Sequence, residues 1–142
     1  MEPAVSQSEQ PTARLLLRVL RRFEHALQER LHQDGFDDVT VAQTNVLRHL
    51  DSGGMRQSEL AHDAGISKQA ASQAVRALQQ RDLVAVQRDP SDARARRVVY
   101  TERGQALIAS AISHIRELEA EWEAELGEAE YERLRELLRR LG

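Results

Sequence analysis

Four polar side chains recur at helical spacing in the middle of the chain, where they could hydrogen-bond the edges of base pairs or phosphates. They share one face of a helix predicted from Lys68 to about Arg81, and they are Gln69, Ser72, Gln73 and Arg76. Glutamine is a natural bidentate partner for adenine. An apolar stripe on another face consists of Ala71, Ala74, Val75 and Leu78. An ordinary amphipathic helix with a solvated face has the same pattern, so the neighbouring segments must decide between the two interpretations.

The segment before this helix predicts a helix-turn-helix. Leu60, Ala61 and Ala64 give a short helix a buried side. Gly65 accepts the left-handed backbone of a tight turn without steric cost. Ser67 is a good N-cap for the polar helix, because its hydroxyl can accept from the free amides of the first turn.

Two valine-rich runs after the polar helix are typical of strands, Leu83–Gln87 and Arg97–Tyr100. The turn-forming segment between them, residues 88–96, is expected to expose three arginines at the tip of a hairpin. A helix-turn-helix followed by a basic hairpin is a winged helix-turn-helix, whose second helix enters the major groove while the wing reaches the minor groove or its phosphates. This arrangement predicts binding to double-stranded DNA.

The candidate DNA contacts follow from that arrangement. In the recognition helix they are Ser67, Lys68, Gln69, Ser72, Gln73 and Arg76. In the wing they are Arg88, Asp92, Arg94 and Arg96. Asp92 is expected to orient the guanidinium of Arg94, which a narrow, A·T-rich minor groove would attract.

Two longer stretches carry a resemblance to a known family. They are QSELAHDAGISKQAASQAVRALQQRDLV at 57–84 and RDPSDARARRVVYTERG at 88–104. They resemble the multiple antibiotic resistance regulator (MarR) family of bacterial transcription factors, whose wing pattern is matched here by Asp89, Pro90, Asp92, Arg94, Thr101 and Gly104. The chain departs from the family at Ala93, often arginine, at Tyr100, usually leucine, and at Asp82, commonly glycine. Aspartate tolerates the left-handed region, so we expect local strain at Asp82 rather than another fold.

Apolar stripes outside this region predict helical arms. A helix from Ala13 carries Leu16, Leu20, Phe23, Leu27 and Leu31. A long helix capped by Thr101 carries a stripe that includes Leu118 and Trp122, and Gly127 is expected to separate it from a final helix. The stripes exceed what the small middle region can cover, which favours burial against another chain over a monomer with folded-back helices. The resemblance implies a two-fold homodimer, with recognition helices about 34–36 Å apart on a pseudo-palindromic operator.

The predicted fold class is mostly α with a small β-hairpin wing: a winged helix-turn-helix with N- and C-terminal dimerisation helices. Residues 1–11 are predicted as a flexible tail and residues 12–142 as a single MarR-like domain. Residues 12–35 and 102–142 would be the dimerisation helices, and residues 40–101 the DNA-binding lobe. Thr40–Gln43 has the form of a capping box that opens a helix to about Leu50, and Met55–Arg56 is expected to form a minor strand.

The net charge of −3 hides an uneven distribution. Residues 67–103 hold eight basic and four acidic side chains, a local charge of +4, whereas residues 116–142 hold nine glutamates and five arginines, a charge of −4. A duplex meets the charges within a Debye length of roughly 8–10 Å, so the sign of the whole chain does not exclude DNA binding.

Composition excludes several classes of function. With no cysteine, the sequence offers no disulfide, thiolate metal site or thiol redox switch. The five histidines form no His-x-x-x-His pair, and no nucleophile elbow, phosphate loop or supported pair of catalytic carboxylates is present. We therefore predict no metal, cofactor or enzymatic activity. No apolar run approaches the roughly 20 residues of a membrane span and no signal peptide is visible, so we expect a cytoplasmic protein with no membrane partner.

The resemblance also implies a ligand pocket between the dimer arms and the DNA-binding lobe, often for small aromatic or phenolic anions. Candidate ligand-binding residues near that junction are Phe36, Asn45 and His49, although each also has a plain structural role available. The sequence thus predicts a homodimeric, sequence-specific repressor that a small molecule releases from its operator. The alternative is an architectural DNA-binding protein without a ligand.

Overall fold

The computed structural model describes residues 10–142, and it contains six α-helices and three β-strands in that range. The elements are α1 Thr12–Gln33, α2 Val41–Leu47, β1 Met55–Arg56, α3 Gln57–Asp63, α4 Lys68–Gln80, β2 Val84–Asp89, β3 Asp92–Tyr100, α5 Glu102–Leu126 and α6 Glu128–Leu141. The strands form one antiparallel sheet in the order β1-β3-β2. This architecture confirms the predicted fold class. Of the predicted tail, only the last two residues lie within the described part of the chain.

Side-chain caps set the starts of three helices as predicted. The Thr40 hydroxyl accepts from the Gln43 amide at 3.2 Å while the Gln43 side chain accepts from the Thr40 amide at 3.1 Å, a complete capping box. Ser67 and Thr101 each accept from the amide three residues later, at 3.0 Å, and so open α4 and α5. Each cap satisfies an amide that would otherwise have no partner in the first turn.

The core that positions α4 lies between the helices α2, α3, α4 and α5 on one side and the three-stranded sheet on the other. Its largest fully buried side chains are Leu47, Leu60, Val75, Leu78, Leu83, Val98 and Leu107. Asp82 ends the helix-turn-helix with φ +55°, the left-handed conformation expected there. α5 then begins so close to this turn that a Cβ at Gly104 would lie 2.0 Å from the Leu83 carbonyl oxygen. A side chain at Gly104 would therefore push α5 away from the end of α4.

The wing hairpin is longer than predicted. Only Pro90 and Ser91 form its turn, and most of the segment expected as a loop is paired strand, with Arg88 opposite Arg96. Polar strands that extend beyond the core lack alternating apolar residues, and the sequence pattern therefore missed them. As a result the three arginines lie along both strands instead of together at the tip.

The arms consist of α1, α5 and α6. Leu27 and Leu31 of α1 are buried against the core, whereas residues 12–22 of the same helix are exposed, Leu20 by 51%. α6 ends with Leu141, which is 79% exposed. Leu118 is 4% exposed, and the Trp122 ring, which remains partly exposed, lies 5.2 Å from that of Phe23 in an edge-on contact. The expectation that both face a partner is therefore not met at Leu118, because the 3.6-residue period put it on an apolar stripe that this chain already buries there.

A polar cluster joins the end of α1 to α5. Asp34 accepts a hydrogen bond from His114 Nε2 at 2.7 Å, and Glu117 contacts Nδ1 of the same ring at 3.1 Å. Arg30 donates to Glu117 at 3.2 Å and to Glu121 at 2.5 Å. Partial burial acts to lower the pKa of His114, but the two carboxylate hydrogen bonds outweigh it and the pKa is raised. The protonated form of His114 is thus favoured, and in that form its ring bridges the carboxylates of Asp34 and Glu117.

No helix within residues 10–142 combines the length and apolar character needed to cross a bilayer. In the same range, no three His, Asp or Glu side chains are grouped so that they could hold a metal ion.

Candidate nucleic-acid interface

The recognition helix, α4, has one buried face and one polar face. Ala71, Val75 and Leu78 are at most 2% exposed and hold the helix on the core. The candidate residues on the other face are exposed except for the half-buried Ser72; they are Ser67, Lys68, Gln69, Gln73 and Arg76. The Ser67 hydroxyl is already an acceptor for the Ala70 amide, so it can offer a DNA phosphate only its proton. The buried face fixes the helix while the amides and the guanidinium remain available to a ligand.

The turn of the wing is held by Asp89, which is only 5% exposed as a side chain. Its Oδ1 accepts from the Ser91 hydroxyl at 2.6 Å and from the Ser91 amide at 2.8 Å, and its Oδ2 accepts from Arg56 Nε at 2.7 Å. The bonds from Ser91 and then from Arg56 hold the pKa of Asp89 well below its usual range. Arg56 lies on β1, so this carboxylate ties the turn to the edge of the sheet.

Asp92 has a different role from the one predicted. Its Oδ1 accepts from the backbone amide of Arg94 at 3.0 Å, so it shapes the start of β3 and does not bind the Arg94 guanidinium. Arg97, by contrast, is committed at the root of the wing, where it donates to the carbonyls of Gly53 at 2.9 Å and Gly54 at 2.6 Å.

Five cations of the helix-turn-helix and wing have exposed side chains and form no ion pair with any residue between 10 and 142; they are Lys68, Arg76, Arg88, Arg94 and Arg96. The other arginines of residues 67–103 are held within the fold. Arg97 and Arg103 donate to backbone carbonyls, and Arg81 is half-buried. The positive charge that a duplex could meet is therefore concentrated on the predicted contact residues.

A cavity of about 440 Å³ lies between α1, α2, α5 and the root of the wing. Its walls are mostly apolar and include Leu20, Phe23, Leu27, Leu31, Val39, Ile108 and Ile112. Polar side chains also line it: Glu24, Gln28, Thr40, Thr44, Asn45, Arg48 and Ser52. Tyr100 also lines it, but its hydroxyl already donates toward the carbonyls of Leu47 at 2.5 Å and Leu50 at 3.0 Å.

Of the three candidate ligand residues, only Asn45 lines this cavity. Phe36 is buried beside it under the guanidinium of Arg103, and the His49 ring lies 3.5 Å from Arg48 Nε. Sequence reasoning missed Arg48, the one basic side chain that residues 10–142 contribute to the lining, which stands three residues after Asn45 on the turn that ends α2. The apolar stripes of the first and fifth helices were the signal for the walls, but only the fold brings them to one space.

Comparison with known proteins identifies this architecture. Residues 37–95 match a family model described as "MarR family". The matched segment runs from the loop before α2 through the helix-turn-helix into β3. No curated protein matches the chain in sequence at a significant level.

Several solved structures are similar over nearly the whole chain. The MepR–DNA complex of S. aureus has a TM-score of 0.76 at 21% identity, covering 94% of this chain and 97% of that one. MarR has a TM-score of 0.72 at 26% identity, with 93% and 95% covered. Bordetella bronchiseptica BpsR, described with regulation of its DNA binding by 6-hydroxynicotinic acid, has a TM-score of 0.71 at 26% identity, with 93% and 98% covered. The arms are thus part of the shared fold.

Proposed function

We propose that the chain is a DNA-binding transcription regulator of the MarR family, and that it acts as a homodimeric repressor released from a pseudo-palindromic operator by a small aromatic anion. The observation that carries this proposal is that two sets of polar side chains have different environments. Structural arginines are bonded within the fold, whereas Gln69, Gln73 and Arg76 of α4 and the wing cations Arg88, Arg94 and Arg96 are exposed and form no ion pair with residues 10–142.

Sequence selectivity would come from α4. Gln69 and Gln73 lie one turn apart on the exposed face, and an amide can pair with both hydrogen-bonding groups of adenine in the major groove. Arg88, Arg94 and Arg96 would bind phosphates or the adjacent minor groove and set the register of the helix. The Asp89–Arg56 contact supports this assignment because it fixes the wing without using any of those three arginines.

Dimerisation is supported by apolar surface that the single chain does not cover. The exposed residues are Leu15, Leu16, Leu17, Val19 and Leu20 of α1, Ile112 and Leu126 of α5, and Leu137, Leu138 and Leu141 of α6. Exposed apolar residues clustered on consecutive turns are typical of protein interfaces. An interface of the obligate class, burying more than about 2,000 Å² in total, would cover both ends of the chain. A two-fold axis would then present two copies of α4 to two half-sites.

The cavity supports a ligand response. An apolar space of about 440 Å³ falls in the size range of small-molecule pockets, and Arg48 and Asn45 could bind a carboxylate and a ring substituent. Two of its lining residues, Leu20 and Ile112, also belong to the exposed apolar set. A partner chain on that surface would close the cavity, so that its contents could alter the spacing of the two DNA-binding lobes.

Mapping the genomic DNA that the purified protein protects tests this function. The repressor predicts discrete sites with two-fold symmetry and affinity at least about 1,000-fold above that for scrambled DNA. Uniform coverage with a preference of only a few fold would instead identify an architectural protein.

Release by ligand can be tested on the mapped site with 6-hydroxynicotinic acid, the compound associated with BpsR. We expect the acid to weaken binding, and the Arg48→Met variant to lose that response because the carboxylate would have no cation. The control is 2-pyridone, which keeps the ring but lacks the carboxylate. Equal responses to both compounds would contradict the role of Arg48.

A further inference from the structure

Arg103, the second residue of α5, contacts three residues in two separate parts of the fold. Its guanidinium donates to the backbone carbonyl of Arg81 and to the two carboxylate oxygens of Asp38, at 2.7 and 3.4 Å. Its central carbon also lies 5.5 Å from the centroid of the Phe36 ring. A planar guanidinium can hold such partners in fixed directions, which a lysine ammonium on its flexible stem does less well.

The Arg81 carbonyl marks the end of the recognition helix. Arg81 is the C-cap of α4, and the last carbonyls of a helix have no partner within it. Arg103 supplies both a donor and a positive charge at the negative end of the helix dipole. The Thr101 hydroxyl donates to the next carbonyl, that of Asp82, at 2.5 Å. The start of α5 thus fixes where α4 ends.

The other two partners of Arg103 lie in the loop that forms one wall of the cavity. Phe36 is buried, and its carbonyl accepts from the Val39 amide at 3.2 Å; Val39 and Thr40 then line the cavity. The hydrogen bond from Arg103 is the largest cause of the lowered pKa of Asp38, so this carboxylate stays charged and bound. A shift of the loop would reach Arg103 through both contacts.

We propose that Arg103 is a positioning residue that couples the loop at residues 36–40 to the C-terminal end of the recognition helix, and so sets DNA affinity without touching DNA. The inference rests on the proposed DNA-binding function and adds the residue through which the cavity wall acts on α4. Its physical basis is that the Arg103 side chain joins a loop of the cavity wall to the end of α4. Within residues 10–142, no other side chain donates a hydrogen bond to the Arg81 carbonyl.

Two neighbouring aspartates provide a matched test. Asp38→Asn weakens the contact with Arg103, whereas Asp37→Asn removes the same charge from an exposed residue that forms no hydrogen bond or ion pair with residues 10–142. Relative to Asp37→Asn, we expect Asp38→Asn to lower affinity for the mapped site by about five- to tenfold, the low end of measured coupling between sites. Equal affinities for the two variants would overturn the proposal.

Hydrogen exchange gives a readout that does not require DNA. The amides of Arg81, Asp82 and Leu83 donate to carbonyls of the last turn of α4. We expect Asp38→Asn to speed their exchange while Asp37→Asn leaves it unchanged. If the wild-type protein shows no sequence-selective binding, the proposed function fails, and this exchange measurement still decides whether the loop acts on the helix. Unchanged exchange in both variants would overturn the coupling.

A double-mutant comparison identifies the carrier. The Arg81 charge also acts weakly on Asp38, so Asp38 could influence the end of α4 without Arg103. In the Arg103→Met background, which keeps an apolar stem over Phe36, we expect Asp38→Asn and Asp37→Asn to have equal effects on DNA affinity and exchange. A persistent difference between them in that background would show that the coupling bypasses Arg103. Melting curves establish that each variant is folded at the temperature of measurement.

Discussion

Replacing Arg94 by alanine tests whether the wing contributes electrostatic binding that is independent of sequence. Arg94 is exposed, and its guanidinium has no ion-pair partner within residues 10–142, so its removal should leave the fold intact. Each phosphate contact contributes about −0.9 to the slope of log K against log salt, so a dimer that loses two contacts should lose about 1.8 from the magnitude of that slope. When the salt concentration is raised from about 50 to 200 mM, the factor by which affinity falls should be roughly 12 times smaller for the variant than for the wild type.

Gln73→Ala should change the sequence preference of binding and leave its salt dependence unchanged. Gln73 is exposed on α4, and its loss should relax preference at particular base pairs by about 1–3 kcal/mol per contact, roughly 5- to 150-fold, without a change in salt slope. Arg94→Ala should weaken binding to all sequences, with some loss of preference for flanking A·T pairs.

Binding isotherms on the mapped site and on scrambled DNA, at several salt concentrations, separate the two effects. Arg116→Ala is the charge-matched control, because Arg116 is exposed on α5 and lies outside the DNA-binding lobe. Gln80→Ala is the amide-matched control at the last residue of α4. A wild-type affinity and salt slope for Arg94→Ala would refute the wing contact. An equal loss for Gln73→Ala on both DNAs would refute base recognition by that glutamine.

Three further predictions concern the dimer, pH and the wing. Leu138→Glu should convert the dimer to monomer in sedimentation, because it puts a charge on exposed apolar surface of α6, whereas Ala129→Glu on the polar side of α6 should not; an unchanged mass for Leu138→Glu would support a monomer. The raised pKa of His114 means that its contribution to stability is complete below the ordinary value of 6.5 and is lost as pH rises through the higher folded value. The melting temperature of wild type minus that of His114→Gln should therefore shrink from pH 6 to pH 9, and a constant difference would exclude this titration. Asp89→Asn should weaken DNA binding relative to Asp92→Asn, although both remove one negative charge from the wing, because only Asp89 holds the turn; equal affinities would show that the turn needs no anchor.

The helix-turn-helix could be predicted from the sequence because its signals are local. The caps at Thr40, Ser67 and Thr101 each involve residues three apart, and the apolar stripe of α4 repeats with the helical period. Met55–Arg56 was also confirmed as a strand, paired with Val98 and Arg97, from its place in the winged-helix pattern.

The contacts that complete the site join residues far apart in sequence, and no local pattern indicates them. Arg56 and Asp89 are 33 positions apart, and Arg103 and Asp38 are 65. Each pair consists of an arginine and an aspartate of ordinary type in a chain where 30% of residues are charged, so the sequence contains many equivalent pairings. Only the folded register selects one. The same limit explains why the cavity walls were expected as helix stripes but Arg48 was not singled out as a polar group within them.

These long-range pairs also explain how an acidic protein can present a basic surface to DNA. The net charge of residues 67–103 counts Asp89 as an offset to the arginines of the wing. In the fold, however, the Asp89 charge is balanced by Arg56, which lies outside that range. The Asp92 carboxylate accepts a hydrogen bond from a backbone amide. The charge of Asp89 is thus balanced by a residue that is not a candidate DNA contact, and Arg88, Arg94 and Arg96 of the hairpin form no ion pair within residues 10–142. Substitutions at Arg56 should therefore alter the field around the wing as well as its shape, since they would leave the Asp89 charge beside the arginines that meet the phosphates.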